Sequence, residues 1–183
     1  AIRLGRRIFD NLKKAAAYIF AVHIPIAGLS LLPLFGFPFV LEPMHIAFLE
    51  LIIDPACTLV FEAEEEEADV MHRPPRKPHE RLFQRRMIGL SVLQGAGVLA
   101  IVTAIFTIAL YRGQGEADAR ALTFTTLVIA NLSLILTNRS WSRGVGSILR
   151  SPNTAMWWVM GGTVLLLVLA LSIPFLRGLF HFS

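Results

Sequence analysis

The chain has 183 residues, of which 55% are hydrophobic and only 16% are charged, and its mean hydropathy is +0.61. Soluble domains are about 45–50% apolar and about 25% charged, so this composition indicates a membrane protein. The single cysteine, Cys57, excludes an internal disulfide framework and a Cys-based zinc site. The net charge of +4 does not indicate nucleic acid as a partner, because the basic residues are grouped between apolar runs.

Five apolar stretches are long enough, or nearly so, to cross a bilayer, for which a helix needs roughly 20 residues. In chain order they are residues 15–34, 44–61, 88–111, 121–137 and 154–176. They predict an all-α fold, a polytopic membrane helix bundle with about five transmembrane helices. A soluble helical protein with very hydrophobic core helices is the alternative.

The Lys and Arg residues predict how the chain sits in the membrane. The segment before the first span carries five of them, the second connection six and the fourth connection three, which is fourteen of the 17. If the spans alternate in direction, these three segments share one side, and the positive-inside rule makes that side cytoplasmic. We therefore predict a multi-pass protein of the plasma membrane with a cytoplasmic N-terminus.

This topology divides the chain into six segments. They are the cytoplasmic stalk end of the first helix (1–14), a transmembrane hairpin with ion-site residues (15–61), a cytoplasmic acidic and Pro-rich loop (62–87), a second hairpin (88–137), a cytoplasmic basic loop (138–153), and the last transmembrane helix with an outer tail (154–183). Since the sequence does not begin with Met, we expect it to be a piece of a longer protein.

Two of the predicted spans contain a proline away from their ends. Pro25 lies within AVHIPIAG, and Pro55 follows Asp54 directly. A proline cannot donate a hydrogen bond to the carbonyl four residues earlier, which is that of Ala21 or Leu51, and its ring pushes against that carbonyl. We therefore expect two of the five helices to be proline-broken, with free carbonyl oxygens at membrane depth.

Glu50 and Asp54 are the strongest functional signal. They lie four residues apart in FLELIIDPACTLVFEAEEEE, so a helix places them on one face, one turn apart. An Asp at the centre of a membrane helix costs about 2.5–3.5 kcal/mol on insertion scales, and no Lys or Arg lies inside the five spans. We predict that both carboxylates bind a cation, with His23 and Asn131 as further ligands. A helix too shallow to bury them is the alternative.

An acidic run follows the second span and consists of Glu62, residues 64–67 and Asp69. Such a run is typically a solvated loop. A further interpretation is that it concentrates cations at the mouth of an ion pathway.

Four stretches of the chain resemble one known family in the correct order. GRRIFDNLKKAAAYIF is similar to the stalk and start of the fifth transmembrane helix of P-type cation-transporting ATPases. FLELIIDPACTLVFEAE resembles their sixth helix, DVMHRPPRKPHERLF the loop after it with its D-x-M-x-R-P-P-R pattern, and TFTTLVIANLSLILTNRS the eighth helix. The resemblance implies helices five to nine of a bacterial pump similar to the calcium-transporting subgroup.

The resemblance implies roles for the residues singled out above. Asp54 matches the key sixth-helix aspartate, and Glu50 matches a position that is often Asn in calcium pumps. His23 stands where those pumps have a fifth-helix Asn, and Asn131 aligns with a polar position of the eighth helix.

Two isoleucines depart from the family pattern. Ile26 takes the place of a calcium-ligating Glu, and Ile53 that of a Thr ligand. The site is therefore rearranged, and although calcium is favoured, magnesium, manganese or a monovalent ion with a proton remain open.

The resemblance also implies an ion-translocating ATP hydrolase. The D-K-T-G-T phosphorylation motif and the domain that binds ATP and Mg are not in this sequence, so the fragment itself contains no catalytic residue. The implied partners are the lipid bilayer, the transported cation, the remaining transmembrane helices and the cytoplasmic phosphorylation domain. A passive channel or secondary-transporter module, and a non-transporting membrane scaffold, are the alternatives.

Overall fold

The computed structural model describes residues 1–75, 82–140, 146 and 153–182, and these residues form helices and no strand. Helix α1 spans Ile2–Leu31 and is followed by a 3₁₀ turn at Leu32–Phe35. Helix α2 spans Pro43–Pro55 and continues as π-helical turns over Ala56–Phe61. The remaining helices are α3 (Arg85–Tyr111), α4 (Glu116–Asn138), α5 (Thr154–Ser172) and the short α6 (Pro174–Leu179). The predicted all-α class is confirmed.

Five of the helical stretches are long and apolar enough to cross a membrane, as the sequence predicted. Two of them, α3 and α5, expose most of their apolar surface: only 22% of the most apolar part of each is buried. Large side chains such as Leu93, Ile101 and Trp158 lie on the outside. A soluble protein would bury such helices, so the soluble alternative is rejected.

Helix α1 is the centre of the packing. It contacts α3, α4 and the π-helical turns, and it buries Tyr18, Val22 and Leu29 completely. Helix α4 adds Leu127 and contacts α3, and α5 lies against the π-helical turns. The apolar core therefore includes buried residues of all five long helices, such as Phe106 of α3 and Met156 of α5, although α3 and α5 also expose apolar faces on the outside.

The break expected at Pro25 is not observed. Helix α1 runs uninterrupted through Pro25, because a proline removes one hydrogen bond and the neighbouring residues keep theirs. The Ala21 carbonyl, which Pro25 cannot bond, faces Gly95 of α3: a Cβ added at Gly95 would lie 2.5 Å from the Ala21 oxygen and 2.7 Å from the Ile24 Cβ. Small residues at such contacts let two membrane helices approach closely.

The second proline acts differently. Directly after Pro55 the backbone widens from an α-helix to π-helical turns, which continue to Phe61. Proline removes the donor that would have bonded Leu51, and short π segments inside helices are frequent at functional sites. The interruption predicted for the second span is therefore a change of helix type, and the chain stays helical.

The bundle has two distinct ends. The basic end holds the N-terminus of α1, the described part of the loop after Phe61, the start of α3 and the end of α4. At the opposite end, Arg120 donates hydrogen bonds to the carbonyls of Phe39 and His181, and Glu42 forms ion pairs with Arg120 and His181. These contacts fix the residues after α6 onto the starts of α2 and α4.

Candidate cation site on the open face

Helices α1 and α2 each have a face that the described residues do not cover. His23 lies on this face of α1, and Glu50 and Asp54 lie on that of α2. The side chains of His23 and Glu50 are 46% and 42% exposed, and Asp54 is exposed as well. We call this surface, which carries His23, Glu50 and Asp54, the open face. Three of the four residues predicted as ligands therefore lie on one side of the bundle.

His23 and Glu50 meet where the two helices adjoin. The His23 Nε2 and a Glu50 carboxylate oxygen are 3.5 Å apart. The other ring nitrogen, Nδ1, lies 2.8 Å from the Ile19 carbonyl oxygen and must donate to it, because a carbonyl only accepts. A histidine held in this way presents Nε2 as a metal ligand or, when protonated, as a partner of the carboxylate.

Asp54 lies one helical turn after Glu50, directly before Pro55. Its backbone carbonyl accepts a hydrogen bond of 2.8 Å from the Thr58 hydroxyl. Its carboxylate has no hydrogen bond or ion pair with the part of the chain that the structure describes. Within that part, no three His, Cys, Asp or Glu side chains are close enough to hold a metal ion by themselves.

Asn131 belongs to a different environment. It is completely buried on α4, and neither atom of its side-chain amide has a hydrogen-bond partner among the described residues. Asn131 thus makes no hydrogen bond to the three residues of the open face. Ile26 and Ile53 are buried in the apolar core, at 8% and 3% exposure. The predicted four-residue site is therefore divided between the open face and the interior.

The acidic run after the second span is not a solvated loop throughout, which corrects the sequence interpretation. Glu67 forms an ion pair of 2.7 Å with Lys14, and Glu64 one of 2.6 Å with Arg139. All four side chains are at most 1% exposed. We call these four residues the buried ionic network. It joins the loop to α1 and to the end of α4.

Neighbouring polar groups complete this network. The Ser140 hydroxyl donates to the Glu67 carboxylate at 3.1 Å, and the Asn153 amide donates to Glu64 at 3.0 Å. A buried ion pair is tolerated when further hydrogen bonds satisfy its remaining polar atoms. Sequence reasoning missed these residues, because adjacent glutamates in a run look equivalent.

Other acids of the run pair at the surface. Arg73 hydrogen-bonds the Asp69 carboxylate at 2.8 Å and holds the pKa of Asp69 below its usual value. Glu66 pairs with Arg3, and that hydrogen bond likewise lowers the pKa of the Glu66 carboxyl. Exposed pairs of this kind add little stability.

Residues 38–183 match the family described as "Cation transporting ATPase, C-terminus". The chain belongs to this family. The membrane helices and the loop motif described above are therefore those of the C-terminal membrane part of such an ATPase, as the resemblance implied.

Individual proteins similar to this chain are also cation-transporting ATPases. The chain is 29% identical over 184 residues to a calcium-transporting ATPase of Bacillus subtilis, with 99% of this chain and 20% of the relative covered. It is 32% identical over 142 residues to a calcium-transporting ATPase of Listeria monocytogenes, covering 71% of this chain and 15% of the relative. A sodium/potassium-transporting ATPase alpha subunit of Hydra vulgaris is 37% identical over 107 residues, covering 56% and 10%.

The chain spans about a fifth of the length of the first two of its curated relatives, 20% of both the Bacillus subtilis and the Lactococcus lactis proteins. By its family match, the part of such a protein described here belongs to the C-terminal membrane portion.

Proposed function

We propose that this chain is the C-terminal membrane part of an ATP-driven cation pump, and that calcium is the favoured cation. The open face supplies part of the transport site: Glu50 and Asp54 bind the cation as carboxylates, and His23 contributes its Nε2. Membership of the ATPase family favours a pump over a passive channel, a secondary transporter or a scaffold. The names of the relatives, among them three bacterial calcium-transporting ATPases, favour calcium.

The observation that carries the proposal is the exposure of Glu50 and Asp54 within an otherwise apolar pair of helices. Carboxylates at membrane depth face a partner or a watery cavity. We infer that other transmembrane helices of the same pump cover the open face and complete the ligand set. Asn131, buried on α4, is a second polar position at which a cation or a water molecule would find an amide ligand.

The cycle follows from the chemistry of these groups. While deprotonated, the carboxylates bind the cation from one side of the membrane. When the site opens to the other side, they release it and accept protons. The phosphorylation domain, with ATP and Mg, drives the change, and we propose that it contacts the basic end. The N-terminus would then be cytoplasmic in a plasma-membrane protein.

The test uses Asp54→Asn in the full-length protein. We expect cation-dependent ATP hydrolysis to be lost, because the substitution removes the charge that binds the cation. Phosphorylation by inorganic phosphate should be retained, since it needs no transported cation. Activity is measured across calcium, magnesium, manganese, sodium and potassium.

Glu62→Gln is the matched control. Glu62 is exposed directly after the span that ends at Phe61, eight residues after Asp54, and is not one of the predicted ligands. Its neutralisation should leave cation dependence unchanged. Wild-type cation dependence in Asp54→Asn would refute the role proposed for Asp54.

A further inference from the structure

A second ligand site lies at the basic end, away from the open face. A cavity of about 530 Å³ is enclosed by α1, the first turns of α3 and the end of α4. Its walls include Lys13 from α1 and Gln84, Arg86 and Gln94 from the α3 region. It shares no residue with the candidate cation site.

The cavity is suited to an anion. Lys13 and Arg86 place two cationic side chains on different helices around one space, and no carboxylate lines it in the described ranges. The Asn138 amide, also part of the wall, donates to the Gln94 Oε1 at 3.0 Å, which leaves the Gln94 NH₂ as a donor. Lysine, arginine and amide N–H groups recognise phosphate or carboxylate oxygens.

The start of α3 adds to this preference. Helix α3 begins at Arg85, Gln84 gives it no side-chain cap, and its first turn contains no acidic residue. The first N–H groups of a helix lack intrahelical partners and carry partial positive charge. Arg86 adds positive charge where a helix normally favours negative charge, so an anion in the cavity offsets both this side chain and the helix end.

The other half of the cavity is apolar. Ala17, Met87 and Leu90 line it, and Leu90 is 53% exposed. One turn later on α3, Leu93 is 69% exposed and continues the same apolar surface. A ligand with a charged group at one end and a hydrocarbon chain at the other therefore fits along α3.

We propose that this cavity binds the headgroup of an anionic phospholipid from the leaflet at the basic end. The phosphate contacts Lys13, Arg86 and the start of α3, and one acyl chain follows Leu90 along the outside of the bundle. Basic pockets between membrane helices at this level are known to bind anionic headgroups. The proposal does not depend on which cation the pump transports.

The primary experiment measures lipid retention by the full-length protein. The protein is equilibrated in detergent with equal amounts of phosphatidylglycerol and phosphatidylcholine, and the retained lipid is measured by native mass spectrometry. We expect the wild type to retain phosphatidylglycerol several-fold more than phosphatidylcholine. Equal retention would overturn the proposal, whatever the variants do.

Adjacent arginines supply a matched comparison. Arg86 lines the cavity and Arg85 does not, although both are exposed on the first turn of α3. Lys13→Gln with Arg86→Gln should abolish the preference for phosphatidylglycerol, while Arg85→Gln should keep it. Lys13→Arg with Arg86→Lys, which preserves both charges, should also keep it. Equal loss in Arg85→Gln and the double variant would show a general surface-charge effect and refute the site.

The source of the phosphate is tested separately. In detergent without phospholipid, inorganic phosphate should change the unfolding temperature equally in the wild type and in the Lys13→Gln/Arg86→Gln variant, whereas phosphatidylglycerol should raise it more in the wild type. A rise with inorganic phosphate that is lost in the double variant would assign the cavity to a free anion and overturn the lipid assignment. Because neither readout uses ATP hydrolysis, failure here is distinct from failure of the proposed transport site.

Discussion

Two pairs of carboxylates lie at different heights of this bundle and have opposite surroundings. Glu64 and Glu67, outside the apolar spans, are buried and paired with Arg139 and Lys14. Glu50 and Asp54, inside a span, lie on the open face. The described residues satisfy the first pair, whereas in the second pair Glu50 has only the His23 ring nearby and the Asp54 carboxylate has no hydrogen bond or ion pair among them. The acids that stabilise this part of the protein are therefore different residues from the acids proposed to bind the cation.

The largest expected change in stability concerns the buried ion pair of Lys14 with Glu67. Lys14→Met should destabilise the protein by about 3–5 kcal/mol, because it removes the Lys14 charge from its ion pair with the buried Glu67 carboxylate. The measurement is unfolding by denaturant in detergent. Arg3→Met is the control: its pair with Glu66 is exposed, so little change is expected. Equal loss in both variants would show that burial does not distinguish the two pairs.

A double variant sharpens that result. Lys14→Met together with Glu67→Leu removes both charges, and apolar replacement of a buried ion pair is often neutral. We expect most of the lost stability to return. If the double variant is less stable than Lys14→Met alone, the cost lies in packing and not in the unpaired charge.

A smaller effect is expected where α1 touches α3. Gly95→Ala should cost about 1–3 kcal/mol, because the added methyl group overlaps the Ala21 carbonyl oxygen and the backbone must shift. Gly97→Ala, two residues on, has no atom within 4 Å of the added Cβ and should be neutral or slightly stabilising. The same unfolding measurement compares them. A neutral Gly95→Ala would disprove the close contact.

Neutralising the open face should hardly change stability. Asp54→Asn is expected within about 0.5 kcal/mol of the wild type, because the side chain is exposed and unpaired in the described part of the chain. Asp54→Asn is therefore expected to lose cation-dependent ATP hydrolysis without losing stability. A destabilisation as large as that of Lys14→Met would place Asp54 among the structural acids.

The smallest effect concerns the surface pair of Asp69 and Arg73. Because Arg73 lowers the pKa of Asp69, the pair stabilises the folded state above the usual Asp value of 3.8, and this contribution is lost as the pH falls through the lowered pKa. Unfolding temperatures of the wild type and Asp69→Asn should differ slightly at neutral pH and converge in acid. A constant difference across this range would contradict the assignment.

The helices were predictable because length and hydropathy alone determine a membrane span. The second span was expected at 44–61, and the helical stretch is Pro43–Phe61. The first helix begins earlier than its span, at Ile2, because its basic, amphipathic start remains helical outside the apolar region.

The surroundings of the acids were not predictable from their order in the chain. Nothing local distinguishes Glu64 and Glu67 from Glu65, since Arg139, the partner of Glu64, is 75 residues away and Lys14, the partner of Glu67, lies on α1. The shared face of Glu50 and Asp54 follows from helical spacing. Its position away from the core follows from the packing of three helices and is visible only in the structure.

The contact between Gly95 and the Ala21 carbonyl has a mechanical consequence. Helices whose backbones touch at one point can tilt about that point. Sliding along each other by a turn would instead bring Leu99, one turn after Gly95 on α3, against the Ala21 carbonyl oxygen. A swing of the helix that carries His23 relative to α3 would then pivot at Gly95, a residue without a side chain.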